Sequence, residues 1–355
     1  MRTLEFTAEE LCLEPRLRIA LVTETYPPEI NGVAMTLQRM VDGLIRRGHR
    51  VQLIRPRQTS ADVAQRSGEY EEMLSRGWKL PRYDGLRFGL PAKAALVRSW
   101  SRQRPDLVHV ATEGPLGWTA ISAARKLRLP VTSDFHTNFD HYSEHYGVGW
   151  LRQPVSAYLR RFHNRTEATF VPTAEMARTL QAQGYDRVDV VSRGVDTTLF
   201  SPARRSAALR AQWGMGDDDV ALISVGRLAP EKNLQLVLSA HAAVRQVRPR
   251  ARLVIVGDGP MRDAVARDCP DAVLCGMRTG EDLAAHYASA DLFVFPSLTE
   301  TFGNVTLEAM ASGLCAVAYD YAAAAEVMRD MENGLSAPSR DEGAFMARVV
   351  RAATD

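Results

Sequence analysis

The chain has 355 residues, 46% of them hydrophobic and 24% charged, with a formal net charge of +2. This length suits two domains of ordinary size, each able to bury its own core, and the composition is that of a soluble globular protein. No apolar run approaches the roughly 18 residues of a membrane-spanning helix, and the opening MRTLEFTAEELCLEPR is acidic and lacks a signal peptide's apolar core.

A cytoplasmic location is therefore expected. The four cysteines, Cys12, Cys269, Cys275 and Cys315, show neither paired metal-ligand spacing nor an even disulfide framework, and read as buried thiols in a reducing compartment. Charge is uneven: residues 1–202 hold 28 Lys and Arg against 22 Asp and Glu, whereas residues 203–355 hold 16 against 20. A basic first half hints at an anionic surface as partner, with random surface variation as the plainer alternative.

In chain order, residues 18–23 (RIALVT) form a near-continuous apolar strand, as a sheet covered on both faces demands. A loop with Pro27, Pro28 and Gly32 leads to a helix over 33–47 that stops at Gly48. A strand over 50–54 follows, then an irregular basic stretch through Lys93, a strand over 107–110, a helix over 116–128 and a strand over 131–134. An amphipathic helix over 150–164, a strand over 169–171 and a helix over 174–183 complete the first half. The second half begins with a strand over 221–225. Helices over 233–247, 261–267, 281–288 and 304–312 then alternate with strands over 252–256, 273–275, 292–295 and 315–318. A last helical pattern runs over 343–353. Such alternation means parallel sheets with right-handed crossovers. There is no low-complexity segment and no short-period repeat.

The chemistry concentrates in PSLTETFGNVTLEAMASG, where Glu300 and Glu308 stand eight positions apart. The strand over 292–295 turns through Gly303 into a helix opening at Asn304, which offers free backbone N–H groups and a positive dipole end. Anionic ligands bind at that place in open α/β sheets, and paired carboxylates suit polyols such as ribose and hexose. Arg227 and Lys232 lie on the loop leaving the strand over 221–225. Cations and a helix N-terminus together can hold an anionic ligand, which leaves no need for a metal. The Asp217-Asp218-Asp219 run reads as a solvated turn.

The TETFGNVTLEAMASG segment resembles the E-x7-E signature of retaining nucleotide-sugar glycosyltransferases of the two-domain GT-B fold, in the large family-four group. GRLAPEKN (226–233) is similar to that family's phosphate-binding segment, VGDGP (256–260) to its following strand and turn, and ETYPPEINGVA (24–34) to the loop that closes over the donor diphosphate. RGVDTTLFSP (193–202) resembles the interdomain linker, with Arg193 in place of the usual Asn. The stretch from Ala111 to Leu151 most resembles bacterial GDP-mannose-dependent α-mannosyltransferases, with lipid glycosyltransferases close by. The resemblance implies an α/β GT-B fold of two facing Rossmann-like domains with parallel sheets: residues 1–197 for the acceptor and 203–355 for the nucleotide-sugar donor. Helices that cross back to the first domain usually follow in this group. They are expected to be absent here, where the sequence stops at Asp355.

The resemblance also implies roles. Glu308 would bind the ribose hydroxyls and Glu300 would lie beside the donor sugar near its anomeric carbon. Arg227, Lys232, Gly303 and Asn304 would cradle the diphosphate, with Gly32 and Phe302 also on the donor side, and the base would rest on Gly276 and Met277. His136 would approach the sugar's 6-hydroxyl, while His141 and His145 are acceptor-side or structural. The reaction would transfer a hexose from a GDP- or UDP-sugar by a front-face substitution in which the leaving phosphate takes the acceptor's proton, with no cofactor, no metal and no nucleic acid. A lipid or glycolipid acceptor at the anionic inner face of the plasma membrane is expected, from the basic first half and from Trp78, Phe88 and Trp100 interleaved among arginines. A GT-B epimerase is the rival enzyme, with Glu113 as its one candidate carboxylate. A non-catalytic sugar-nucleotide sensor is the rival of another class. The dinucleotide glycine fingerprint is missing after the first strand, which argues against a nicotinamide cofactor.

Overall fold

The computed structural model describes residues 15–29, 31–59, 61–79, 87–136, 152–216 and 218–355. Cys12, His141, His145, Trp150 and Asp217 lie outside them. The described residues gather into two compact units. One takes residues up to 136 with 158–170 and 185–187, and the other takes 152–157, 171–184 and 188–355.

The first series runs β1 (Arg18–Val22), α1 (Gly32–Arg46), β2 (Arg50–Pro56), β3 (Arg66–Ser67), β4 (Tyr70–Ser75), β5 (Gly77–Lys79), β6 (Arg87–Gly89), α2 (Lys93–Arg102), β7 (Leu107–Val110), α3 (Pro115–Lys126), β8 (Val131–Asp134), α4 (Arg152–His163), β9 (Ala168–Val171), α5 (Ala174–Ala182) and β10 (Val188–Val190). Its sheet has the order β10-β9-β8-β7-β1-β2-β4-β3, while β5 and β6 form a separate antiparallel ribbon. Strand β1 pairs in parallel with both β2 and β7. Its alternate residues enter two different cores: Ala20 and Val22 join Trp100 and Phe162, and Leu21 joins Leu37 and Leu53. Burial on both faces is why IALV, residues 19–22, is apolar throughout.

The stretch expected to be irregular through Lys93 holds four strands and the start of α2. These strands are short and mostly polar, as in YEEMLS of β4, so they carry no period-2 signal. The edge strand β3 pairs antiparallel to β4.

The second series runs α6 (Ala207–Gln212), β11 (Ala221–Val225), α7 (Leu234–Val247), β12 (Arg252–Val256), α8 (Arg262–Asp268), β13 (Val273–Gly276), α9 (Gly280–Ser289), β14 (Leu292–Phe295), α10 (Asn304–Ala311), β15 (Cys315–Tyr319), α11 (Ala322–Val327), β16 (Leu335–Ala337) and α12 (Glu342–Thr354). All six strands are parallel, in the order β13-β12-β11-β14-β15-β16. Numbered from β11, this is the 3-2-1-4-5-6 order of a doubly wound sheet, in which the winding reverses between β11 and β14. Again alternate residues of one strand, Leu222 against Ala221 and Ile223, supply the cores on the two faces.

Two smaller expectations change. Asp219 is not a solvated turn residue, because its Oδ2 accepts from the Gly216 amide at 2.8 Å and its carbonyl accepts from the buried Arg210 at 2.6 Å. Cys269 is buried, but Cys275 and Cys315 are only half-buried. Among the described residues, no helix is long and apolar enough to cross a membrane.

Candidate functional site

In the second unit the candidate residues collect at the carboxyl ends of β11 and β14, where the winding reverses. The loop after β11 is laced to the loop after β12 by Gly226 N–H to Val256 O (3.0 Å), Leu228 N–H to Asp258 O (2.9 Å) and Met261 N–H to Leu228 O (2.9 Å). Gly257 sits at φ 141°, and a Cβ there would fall 1.9 Å from the Gly226 carbonyl oxygen, so this approach admits only glycine. Arg227 stands exposed on the laced loop. A 3-10 turn over Pro230–Lys232 then carries Lys232 towards β14 before α7 begins.

The loop after β14 is tied to the same turn. Leu298 N–H donates to the Glu231 carbonyl at 2.8 Å, and Ser297 Oγ to the same oxygen at 3.4 Å. This brings Lys232 and Glu300 together as a salt bridge, with both side chains mostly buried. The Lys232 ammonium also lies 5.5 Å from the centre of the Phe295 ring. Gly303 takes a left-handed conformation, φ 91° and ψ 62°, and from it α10 starts at Asn304. Phe302 beside it is buried, its carbonyl accepting from Ala323 N–H at 2.7 Å.

Glu308, one turn into α10, is 8% exposed and accepts from the Tyr287 hydroxyl at 3.3 Å. Burial first, and the Glu308 charge second, push the Tyr287 phenol well above its ordinary range, so Tyr287 keeps its proton and remains a donor. Gly276 ends β13, and its carbonyl accepts from the Gly257 amide at 2.9 Å; Met277 next to it is 48% exposed. Arg227, Lys232, Gly276, Met277, Glu300, Phe302, Gly303, Asn304 and Glu308 therefore all sit on the β11, β13 and β14 ends of one sheet and on the helix that follows β14.

Gly32 and His136 belong to the first unit. Gly32 is the exposed first residue of α1, after Asn31, whose Oδ1 caps the helix by accepting from Ala34 N–H at 2.8 Å. His136 follows β8 and is buried, with Nε2 3.1 Å from Asp134 Oδ2. The same oxygen lies 3.2 Å from Nε2 of His109, on β7, and Nδ1 of His109 lies 2.9 Å from Thr132 Oγ1. Burial alone would raise the Asp134 carboxyl, but the two imidazoles override it and hold the group far below the usual carboxylate range.

Sequence reasoning missed several residues here: Asp134, His109, Tyr287, Phe295 and Glu24. Glu24 follows β1, and its carboxylate accepts from Leu116 N–H at 2.9 Å, at the start of α3. Burial is the largest influence on it and, with help from Glu113, pushes its pKa up to about 7 despite backbone donors from Leu116, Gly89 and Gly117. Glu113 itself turns towards His163, with 3.5 Å between Oε1 and Nε2. Among the described residues, no group of three or more His, Cys, Asp or Glu side chains is arranged to hold a metal ion.

Comparison with known proteins agrees with this architecture. The family described as "Glycosyltransferase Family 4" matches residues 30–199, and that described as "Glycosyl transferases group 1" matches residues 219–355. A GDP-mannose-dependent alpha-mannosyltransferase of Mycolicibacterium smegmatis is 35% identical over 323 residues, covering 90% of this chain and 84% of its own. An alpha-monoglucosyldiacylglycerol synthase of Streptococcus pneumoniae is 29% identical over 325 residues, covering 85% and 71%. In fold, the chain is similar to sucrose-phosphate synthase from Thermosynechococcus elongatus, with a TM-score of 0.75 at 19% identity over 96% of this chain and 90% of that one. A doubly wound parallel sheet, a second, largely parallel sheet and relatives of this identity lead to one conclusion: the chain belongs to the group 1, family 4 glycosyltransferases of the GT-B fold, and is a hexosyltransferase using a nucleotide sugar.

Proposed function

We propose that this chain transfers a hexosyl group, mannose from GDP-mannose in the first instance, to a membrane lipid or lipid-linked glycan with retention of configuration and without a metal ion. The observation that carries this reading is the meeting of Lys232, Glu300 and the α10 N-terminus at the reversal between β11 and β14. Cationic and dipolar groups at one spot suit a departing diphosphate. In the step proposed, the bond from the anomeric carbon to the phosphate oxygen breaks and the acceptor hydroxyl adds on the same face. The leaving phosphate oxygen takes the hydroxyl proton. Arg227, Lys232 and the backbone N–H groups at Gly303 and Asn304 stabilise the charge on the nucleoside diphosphate, and Glu300 faces the developing oxocarbenium ion. Glu308 holds ribose and Gly276 with Met277 supports the base. Position and electrostatics thus replace a general base.

The mannose donor rests on the mannosyltransferase relatives, and the lipid acceptor on the glucosyldiacylglycerol synthase relative and on the basic first half. The aromatic support for membrane contact is narrower than the sequence suggested: Trp100 is fully buried and Phe88 half-buried, which leaves Trp78, 62% exposed on β5 beside the exposed Arg76. Arg160 and Arg161 are exposed on α4. Peripheral contact at the inner face of the plasma membrane follows from this reading, each basic residue contributing about 1 kcal/mol near an anionic surface.

The test is release of nucleoside diphosphate across a panel of GDP-, UDP- and ADP-hexoses, with and without EDTA. GDP release from GDP-mannose, unchanged by EDTA, is expected; loss of release restored by magnesium overturns metal independence. Sedimentation with vesicles addresses the acceptor side. Binding that rises with anionic lipid, falls with salt and weakens in Trp78→Ala is expected, and equal recovery in the supernatant with neutral and anionic vesicles overturns membrane contact.

A further inference from the structure

The loop that carries Glu300 is held from a side that the transfer step above does not use. Strand β15 ends at Tyr319, and just beyond it Tyr321 donates its hydroxyl to the Ser297 carbonyl at 2.7 Å. Ala323 N–H donates to the Phe302 carbonyl, also at 2.7 Å. These two bonds flank Glu300. Between their donors Ala322 sits at φ 52°, a left-handed conformation that alanine seldom takes. Strain of this kind persists only where the surroundings over-determine it, and here bonds to the Glu300 loop hold the residues on both sides. Ser297 also meets a second support, since its Oγ and the Leu298 N–H both reach the Glu231 carbonyl, at 3.4 and 2.8 Å, on the turn that carries Lys232. Burial first, and the Glu300 charge second, push the Tyr321 phenol far above its ordinary range, so the hydroxyl remains a donor.

We propose that Tyr321 is a positioning residue for glycosyl transfer: by holding the Ser297 carbonyl it keeps the backbone of Glu300 in place while the Glu300 carboxylate changes partner from Lys232 to the charge developing on the donor sugar. This rests on the reading of Glu300 as the carboxylate beside the reacting carbon. In the ligand-free site the salt bridge to Lys232 helps to hold Glu300. Once a diphosphate takes Lys232 that support is gone, and the hydrogen bonds at the two ends of the loop hold it alone. A displaced Glu300 is then felt where charge develops, in the transition state, and hardly in ground-state binding, to which phosphates and ribose contribute through other residues.

The experiment compares Tyr321→Phe, which keeps the ring and removes the hydroxyl, with Tyr319→Phe. The second is the control, because the buried Tyr319 hydroxyl has no hydrogen-bond partner among the described residues. Nucleotide release from the donor sugar and hydrogen exchange over residues 297–303 of the intact chain are measured for both. In Tyr321→Phe kcat is expected to fall about 3- to 10-fold, as loss of one neutral hydrogen bond allows, with donor KM and the affinity for free GDP within about twofold of wild type. Exchange over 297–303 in the ligand-free protein is expected to quicken by about the same factor, through easier local opening. Tyr319→Phe should match wild type in both measurements. A kcat for Tyr321→Phe within about twofold of wild type, a rise in KM in place of a fall in kcat, or equal losses in the two variants overturns the proposal. So does unchanged exchange over 297–303 in Tyr321→Phe. The exchange comparison needs no donor, so an absence of nucleotide release by wild type with every donor would overturn the transfer reading separately.

Discussion

Lys232 and Glu300, 68 residues apart in the chain, form a salt bridge at the carboxyl ends of two adjacent strands, with the ammonium above the ring of Phe295. A cation so placed is pre-positioned, and on the proposed reading it exchanges Glu300 for a diphosphate when donor binds. Removing Lys232 leaves Glu300 mostly buried without its counter-charge and the leaving group without a donor. Lys232→Ala is expected to lower kcat by about 2–4 kcal/mol of transition-state stabilisation, by analogy with deletion of an oxyanion donor. Steady-state nucleotide release measures it, and near-normal kcat would remove Lys232 from the leaving-group site.

Glu308 and its Tyr287 support should separate from Lys232 in their kinetics. If Glu308 grips ribose equally in ground and transition states, Glu308→Ala raises donor KM about 10- to 100-fold with little change in kcat, the value of a charged hydrogen bond of about 1.5–3 kcal/mol. Tyr287→Phe removes one neutral donor to Glu308 and should raise KM by about 1 kcal/mol. A fall in kcat at constant KM for either variant would contradict the ribose assignment.

Glu24 predicts a pH dependence of stability. Its carboxyl titrates at about 7 in the fold against an ordinary 4.5. A raised pKa means that the folded state binds the proton more tightly than the unfolded state. The contribution of Glu24 is therefore complete below about 4.5 and is lost as pH rises through 7. Between pH 5 and 8 the wild type should lose about 2–3 kcal/mol more than Glu24→Gln, which keeps an acceptor for Leu116 N–H and cannot ionise. Parallel pH profiles from urea unfolding of the two proteins would show that the carboxyl stays ionised in its seat.

The lacing of the β11 and β12 loops can be tested by a pair of substitutions. Gly257→Ala places a Cβ 1.9 Å from the Gly226 oxygen, and should cost about 3 kcal/mol or more and loosen the Arg227 loop. Gly226 sits at φ 148°, and a Cβ added there would meet nothing within 4 Å, so Gly226→Ala suffers backbone strain alone, about 1–2 kcal/mol. Thermal unfolding compares the two, and equal losses would mean that contact at Gly257 is not what limits the residue there.

The sequence made the parallel strands plain because each is buried on both faces: the runs over 221–225, 252–256 and 292–295 are strands to the residue. Glu300 and Glu308 were visible because a loop and a helix start bring both acids near one place within eight positions. The polar strands β3 to β6 were hidden by their lack of alternation. Asp134 and His109 were hidden for a different reason: they lie on neighbouring strands and meet only through the register that sets His109 opposite Thr132. Tyr287 reached Glu308 across 21 residues by packing of α9 on the sheet, which no local pattern announces. Trp100 read as an interfacial aromatic and is core, its Nε1 donating to Gln52 at 3.0 Å, because amphipathic tryptophans look alike until their neighbours are known.

The strand order of the second unit has one more consequence. Between Lys232 and Glu300 the chain makes a closed excursion through β12 and β13 and returns, so the two halves of the salt bridge arrive from separate stretches of backbone. The turn over 248–250 is exposed at the amino-terminal edge of the sheet, away from the donor residues. A backbone break there would leave Lys232 on one fragment and Glu300 on the other, so that, on the proposed reading, neither alone would hold a diphosphate. Grip on the donor then reports whether the two fragments have found each other, which makes this sheet a natural frame for a split enzyme.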